Sequence, residues 1–137
     1  MNLFQSGLYK SHSGLMLNGK IECDALSYED LLCVARWIGQ NIRFGVVEPV
    51  HNGGDPLANY LHVYADKSAP MVLIADDVLT TGASMEKAKE RIEKKYPIAP
   101  VIGVVLFSRG ICPDWVFPVF TMNQMFSSQN NHVVQPT

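Results

Sequence analysis

Residues 70–85 read PMVLIADDVLTTGASM, and no other stretch restricts the fold as strongly. The apolar run 71–75 is short and closed by polar turn residues, the pattern of a buried central strand. Residues 84–95 carry Lys and Glu in pairs on an outer face and read as a helix. The strand is delivered into that helix through Thr80, Thr81 and Gly82. A strand this apolar needs cover on both faces. The expectation is therefore a parallel sheet with helices packed against it, rather than a sandwich or a helical bundle.

The flanking sequence repeats the alternation. Residues 27–41 predict a helix: Ser27 is a good N-cap, Asp30 stands in the capping-box position, and Leu31, Val34, Ala35 and Ile38 form a stripe. Residues 44–50 suit a buried strand. The run 51–56, His-Asn-Gly-Gly-Asp-Pro, is a turn, and a helix over 57–64 begins near Pro56, since proline is tolerated in a first turn. Residues 66–70 break the chain before the central strand. Pro97 and Pro100 bound the exit of the charged helix, 101–107 predicts a third buried strand, 108–113 a turn, and 116–120 a shorter last strand. Residues 1–24 read as loops with at most a short strand over 19–23. The stretch 124–137 reads as a polar tail with Phe126 as its one anchor. The fold class is α/β, a small mostly parallel sheet flanked by helices, in a single domain over 1–137.

The chain has 137 residues, enough for one core. Its net charge of −2 supplies no basic field for a nucleic-acid backbone. No run approaches the length of a membrane span. The N-terminus lacks a signal pattern, and Cys23, Cys33 and Cys112 fit reduced thiols better than a disulfide framework, so a cytoplasmic location is expected.

The chemistry lies where strands end, because ligands of open α/β sheets sit beyond the C-terminal strand edges. Asp76 and Asp77 repel one another, and such a pair calls for hydroxyl donors or a cation. Vicinal ribose hydroxyls are suitable donors, and a magnesium ion held partly by substrate phosphates is a suitable cation. Thr80, Thr81, Gly82, Ala83 and Ser84 supply hydroxyls and successive N–H groups at a helix start, a site for a phosphate. Asn52, Gly53 and Gly54 form a second glycine turn whose amides can face the same crevice. The sequence matches neither the nucleotide loop GxxxxGK[ST] nor the GxGxxG fingerprint, and its histidines show no metal spacing.

Residues 71–84 closely resemble the PRPP-binding motif of type I phosphoribosyltransferases. Ser13-Gly14, Gly19 through Asp24, Val50 through Ala58, and 101–110 resemble other parts of orotate phosphoribosyltransferase-like proteins. The resemblance implies that Asp76 and Asp77 contact the ribose 2- and 3-hydroxyls and that Thr80–Ser84 wraps the 5-phosphate. It implies Mg2+ as cofactor, through water on the two aspartates, and PRPP, pyrophosphate or a nucleoside monophosphate as ligands, with a nitrogenous base such as orotate as acceptor. A homodimer is the expected assembly, and residues 1–24 would form a hood over the site. Lys20 and Arg109 are candidate anion contacts; each is equally readable as a solvated side chain, as Glu22, Asp24 and His51 are as turn residues. Trp37, Trp115 and Phe107 read as core or subunit contacts.

One departure from the family is plain. Between Pro56 and Met71 the family carries an extra strand and a long mobile loop with a catalytic lysine; here the gap holds a short helix, His62 and Lys67. Such a loop stabilises leaving oxygens and excludes water. Three functions stay open: phosphoribosyl transfer, non-catalytic binding of PRPP or a nucleotide, and a subunit completed by a partner. The candidate substitutes are Lys10, Lys20, Arg36, Arg43 and Arg109, which the sequence does not place.

Overall fold

The computed structural model describes residues 1–11 and 14–122. Ser13 and the 124–137 tail, Phe126 included, lie outside the described residues.

Two strands open the chain, β1 (Phe4–Lys10) and β2 (Met16–Ile21), paired antiparallel as a separate hairpin. The register slips between Gln5 and Leu8, where Gly7 has φ +129°. A 3-10 turn (Cys23–Ala25) leads to helix α1 (Tyr28–Asn41). Ser27 Oγ accepts from Asp30 N–H and Asp30 Oδ2 accepts from Ser27 N–H, both at 3.1 Å, the reciprocal box expected from the sequence.

The remaining strands form one sheet, β3 (Val46–Pro49), β4 (Val72–Leu79), β5 (Val101–Ser108) and β6 (Val116–Thr121), in spatial order β3-β4-β5-β6 with every pair parallel. Helix α2 (Asp55–Leu61) connects β3 to β4, and α3 (Ala83–Lys95) connects β4 to β5. No helix joins β5 to β6. Residues 109–115 run back along the sheet, and Gly103 N–H donates to Trp115 O at 2.8 Å.

Strand alternation divides the core into two layers. Leu73, Ala75, Val104 and Leu106 pack with Val34, Ala35 and Ile38 of α1 and with Leu57, Ala58 and Leu61 of α2. Val72, Ile74, Val105 and Val116 face Met85, Ala88 and Ile92 of α3. Each fully buried Val, Leu, Ile or Met among these contributes about 1.5–3 kcal/mol. Helix α3 is also fixed at its far end: Lys95 Nζ and the Tyr96 hydroxyl both donate to Glu48 Oε2, at 2.7 and 2.9 Å. Among the described residues no helix is long and apolar enough to cross a membrane.

The α/β class and the helix–strand order are as expected, with three differences. The N-terminal region is a full hairpin rather than loops with one short strand, because isolated glycines and a bulge hide its alternation. Strand β3 is four residues long instead of seven; Phe44 is buried but lies ahead of the ladder. Strand β4 continues to Leu79, so Asp76 and Asp77 lie inside the strand rather than after it. Neighbour β5 carries the ladder on, pairing Val78 with Phe107 and Leu79 with Ser108.

Candidate functional site

At the C-terminal edge of the sheet a cavity of about 630 Å³ opens between the hairpin and the ends of β3, β4 and β5. One wall runs along β4 through Asp76 and Asp77 into residues 80–84 and the start of α3. A second is the turn after β3, with His51, Asn52 and Gly53. The roof is the hairpin, with Tyr9, Lys10, Leu17 and Lys20.

The acid pair splits by environment. Asp76 is 5% exposed. Burial, then the charge of Asp77, pushes its carboxyl up to about 8. Asp76 Oδ1 accepts from Asp77 N–H at 2.8 Å, and Asp77 Oδ1 accepts from Val78 N–H at 2.7 Å. These bonds orient both carboxyls along their own strand. Glu22 and Asp24 line the same cavity. Burial, followed by the charges of Asp77, Glu22, Asp24 and Asp76, pushes the nearby Cys23 thiol up to about 12, which keeps it protonated near neutral pH.

The turn after β4 has the shape an anion needs. Gly82 has φ +87° and serves as N-cap of α3, a conformation natural to glycine. Thr81 Oγ1 accepts from Ala83 N–H at 3.3 Å. The α3 amides and the positive end of the helix dipole therefore meet at this loop. The loop rests on the β5 exit: Leu79 O accepts from Arg109 N–H at 2.8 Å, and a Cβ on Gly110 would collide with Thr80 O.

In the β3 turn, Asn52 has φ +74°, and its N–H donates to Asp55 Oδ2 at 2.9 Å. Gly53 lies on the cavity wall directly against Asp77. Gly54 lies beneath, where a Cβ would run into Ala75 O and Val50 O. It holds the turn onto β4 and does not line the cavity. The other expected positions, Asp76, Asp77, Thr80, Thr81, Gly82, Ala83, Ser84, Asn52, Gly53, Lys20 and Arg109, all line this one space.

Arg109 is 6% exposed, and its Nη1 donates to Gly19 O at 2.8 Å, tying the end of β5 to the hairpin. Lys20 Nζ pairs with Glu22 Oε2 at 2.7 Å and remains partly exposed. Arg43 is elsewhere, on Asp66 and Ser68 at the strand-entry edge. Trp37, Trp115 and Phe107 are outside the cavity. Sequence reading did not single out Tyr9 and Leu17; their alternation in the hairpin was the available signal.

Magnesium suits only part of this donor set. Among the described residues no group of three or more His, Cys, Asp or Glu side chains is arranged to hold a metal ion. The two aspartates fit an ion that keeps several waters and takes other ligands from substrate oxygens.

No family model matches the sequence, and no curated protein matches it. Solved structures do. Orotate phosphoribosyltransferase from Aeropyrum pernix superposes with a TM-score of 0.70 at 21% identity, covering 90% of this chain and 90% of that one. The Mycobacterium tuberculosis H37Rv orotate phosphoribosyltransferase gives 0.64 at 16%, covering 88% and 90%. Leishmania donovani UMP synthase gives 0.66 at 18%, covering 90% of this chain and 34% of that one. The architecture is that of the type I phosphoribosyltransferases.

Proposed function

We propose that this chain binds PRPP and transfers its phosphoribosyl group to a nitrogenous base, releasing pyrophosphate. The observation that carries the reading is the order of groups on one cavity wall: Asp76 and Asp77 in β4, then the Thr80–Ser84 cradle at the start of α3. Carboxylates at one end suit the ribose hydroxyls, amides at the other suit the 5-phosphate, and the anomeric carbon is left facing the space beneath the hairpin.

In this reading the Thr80–Ser84 amides fix the phosphate. Asp76 and Asp77 accept from the ribose hydroxyls, and the Asp77 carboxylate stabilises the positive ring that develops as the leaving group departs. In the turn after β3 the Gly53 amide is the one offered to the pyrophosphate, since the Asn52 N–H already donates to Asp55 Oδ2. Magnesium, held by the two aspartates through water and by substrate oxygens, supplies charge neutralisation for the diphosphate when bound. The base is an acceptor such as orotate. Base-dependent release of pyrophosphate from PRPP, tested across a panel of bases, checks the reading; no turnover with any base overturns it.

A second reading is binding without transfer. The residues between α2 and β4 are pinned at the strand-entry edge, so no segment there covers the site. Binding of PRPP or a nucleoside monophosphate without turnover is its signature.

The partner in either reading is a second copy. Two apolar segments suited to it meet on one surface: Trp37 and Phe120 lie 6.5 Å apart, 48% and 43% exposed, beside a groove lined by Ile102, Phe117 and Val119. A patch with so little charge is compatible with its own copy.

A further inference from the structure

Phosphoribosyl transfer leaves negative charge on pyrophosphate, and the cavity already holds four acidic side chains, Glu22, Asp24, Asp77 and the raised-pKa Asp76. Beyond magnesium, cationic side chains are needed to meet the leaving oxygens. The segment between α2 and β4 is excluded by position. Asp66 N–H donates to Phe44 O at 2.8 Å, Gly45 N–H donates to Met71 O at 2.9 Å, and Arg43 Nη2 donates to Ser68 Oγ at 3.0 Å. All these contacts sit where β3 and β4 begin. Strand β4 then runs eight residues to Leu79, about 25 Å at the usual rise, before the phosphate cradle is reached. Lys67 is therefore at the opposite end of β4 from the phosphate cradle, and even the acid pair in mid-strand is about 13–17 Å beyond the strand's start.

The side that does face the acid pair is the hairpin. Leu17 and Ile21 are buried beneath it, Phe4 meets Phe107 edge-on at 6.1 Å, and Arg109 Nη1 holds the Gly19 carbonyl. Those contacts place β2 across the cavity with Lys20 on its wall, and Lys10 reaches the same space from the end of β1. Arg109 is buried and fixed to the backbone, a permanent part of the wall. Lys20 differs: its ammonium is held at the cavity by Glu22 and is half exposed. An ion pair this accessible to water is weak, so a diphosphate can take Lys20 from Glu22 at little cost.

We propose that the β1–β2 hairpin is the charge-supplying cover of this site, with Lys20 and Lys10 donating to the pyrophosphate as it leaves. This rests on the phosphoribosyl-transfer reading above. In the step, the lone pair of a base nitrogen forms the bond to C1 of the ribose. The C1–O bond breaks with its electron pair on the pyrophosphate oxygen, and the proton lost by the base goes to water. The two ammonium groups hydrogen-bond to the pyrophosphate oxygens as that charge develops and keep their own protons.

The test uses the full chain and its Lys20→Gln, Lys10→Gln and double variants. Both lysines are exposed, so the variants are expected to fold as the parent does. Calorimetry with magnesium pyrophosphate and, separately, with ribose 5-phosphate reads the two halves of the site. Pyrophosphate affinity is expected to fall at least tenfold in the double variant while ribose 5-phosphate affinity stays within about twofold. Where turnover is measurable, kcat falls with little change in the KM for the base, and Lys20→Arg restores part of the loss. Unchanged pyrophosphate affinity in the double variant overturns the hairpin proposal and leaves the phosphoribosyl reading standing. Failure of the parent chain to bind ribose 5-phosphate overturns both.

Discussion

The backbone of Gly53 lies against the carboxylate of Asp77, so closely that a Cβ there would stand 2.7 Å from Asp77 Oδ1 and 2.8 Å from Cγ. The turn after β3 and the acid pair of β4 are thereby one unit. A methyl group at residue 53 must displace either the turn or the carboxylate. Gly53→Ala is expected to weaken ribose 5-phosphate binding about tenfold, near 1.4 kcal/mol, with a smaller effect on global stability. Calorimetry beside chemical denaturation separates the two; unchanged affinity would show that Asp77 does not meet the sugar.

Gly82 poses a different problem. Its surroundings are open, since the nearest atom to an added Cβ is Pro113 Cγ at 4.0 Å, so the cost of Gly82→Ala comes from φ +87° alone. That cost is about 1–2 kcal/mol of stability. If residues 80–84 hold the 5-phosphate, affinity for ribose 5-phosphate falls while that for pyrophosphate stays within twofold. Equal losses for both ligands would place the phosphate elsewhere.

Asp76 makes the ligand-free protein sensitive to pH. Its folded-state pKa is raised to about 8 from an ordinary value near 4. Across that window the native state keeps a proton that the unfolded chain has released, so stability falls as pH rises from about 4 to 8. The slope approaches at most about 1.4 kcal/mol per pH unit. Asp76→Asn carries no such charge and is expected to flatten the profile and stabilise the free protein near pH 8, while lowering sugar-phosphate affinity. Denaturant midpoints measured at several pH values decide it; parallel profiles for the two proteins refute the assignment.

Arg109 is the tie between sheet and hairpin. Arg109→Met removes the bond to Gly19 O. Hydrogen exchange of residues 16–21 is expected to speed up at least tenfold, with residues 72–79 little changed. Unaltered protection in β2 would mean that Leu17 and Ile21 hold the hairpin alone.

Sedimentation tests the exposed aromatic surface. Trp37→Glu places a charge beside Phe120 and is expected to convert a dimer to monomer without loss of fold. A parent chain that sediments as a monomer overturns the assembly.

Local patterns in the chain determined much of this protein. The strand–turn–helix order of 70–85, the Ser27–Asp30 box and the apolar run of β5 each state their element through contacts between near neighbours, which periodicity and capping record directly. The α/β class and the grouping of candidate side chains around the turns after β3 and β4 were legible for that reason. The continuation of β4 through its aspartates was not, because carboxylates disfavour a strand until β5 supplies the ladder partners for Asp76, Val78 and Leu79. Tertiary structure alone decided where the scattered cations went. Arg43 was drawn to the strand-entry edge by Asp66 and Ser68, and Arg109 was buried against Gly19, 90 residues away in sequence. Lys10 and Lys20 were set on the lining of the cavity that holds the acid pair. No local pattern encodes such distances; they follow from the packing of the hairpin onto the end of the sheet.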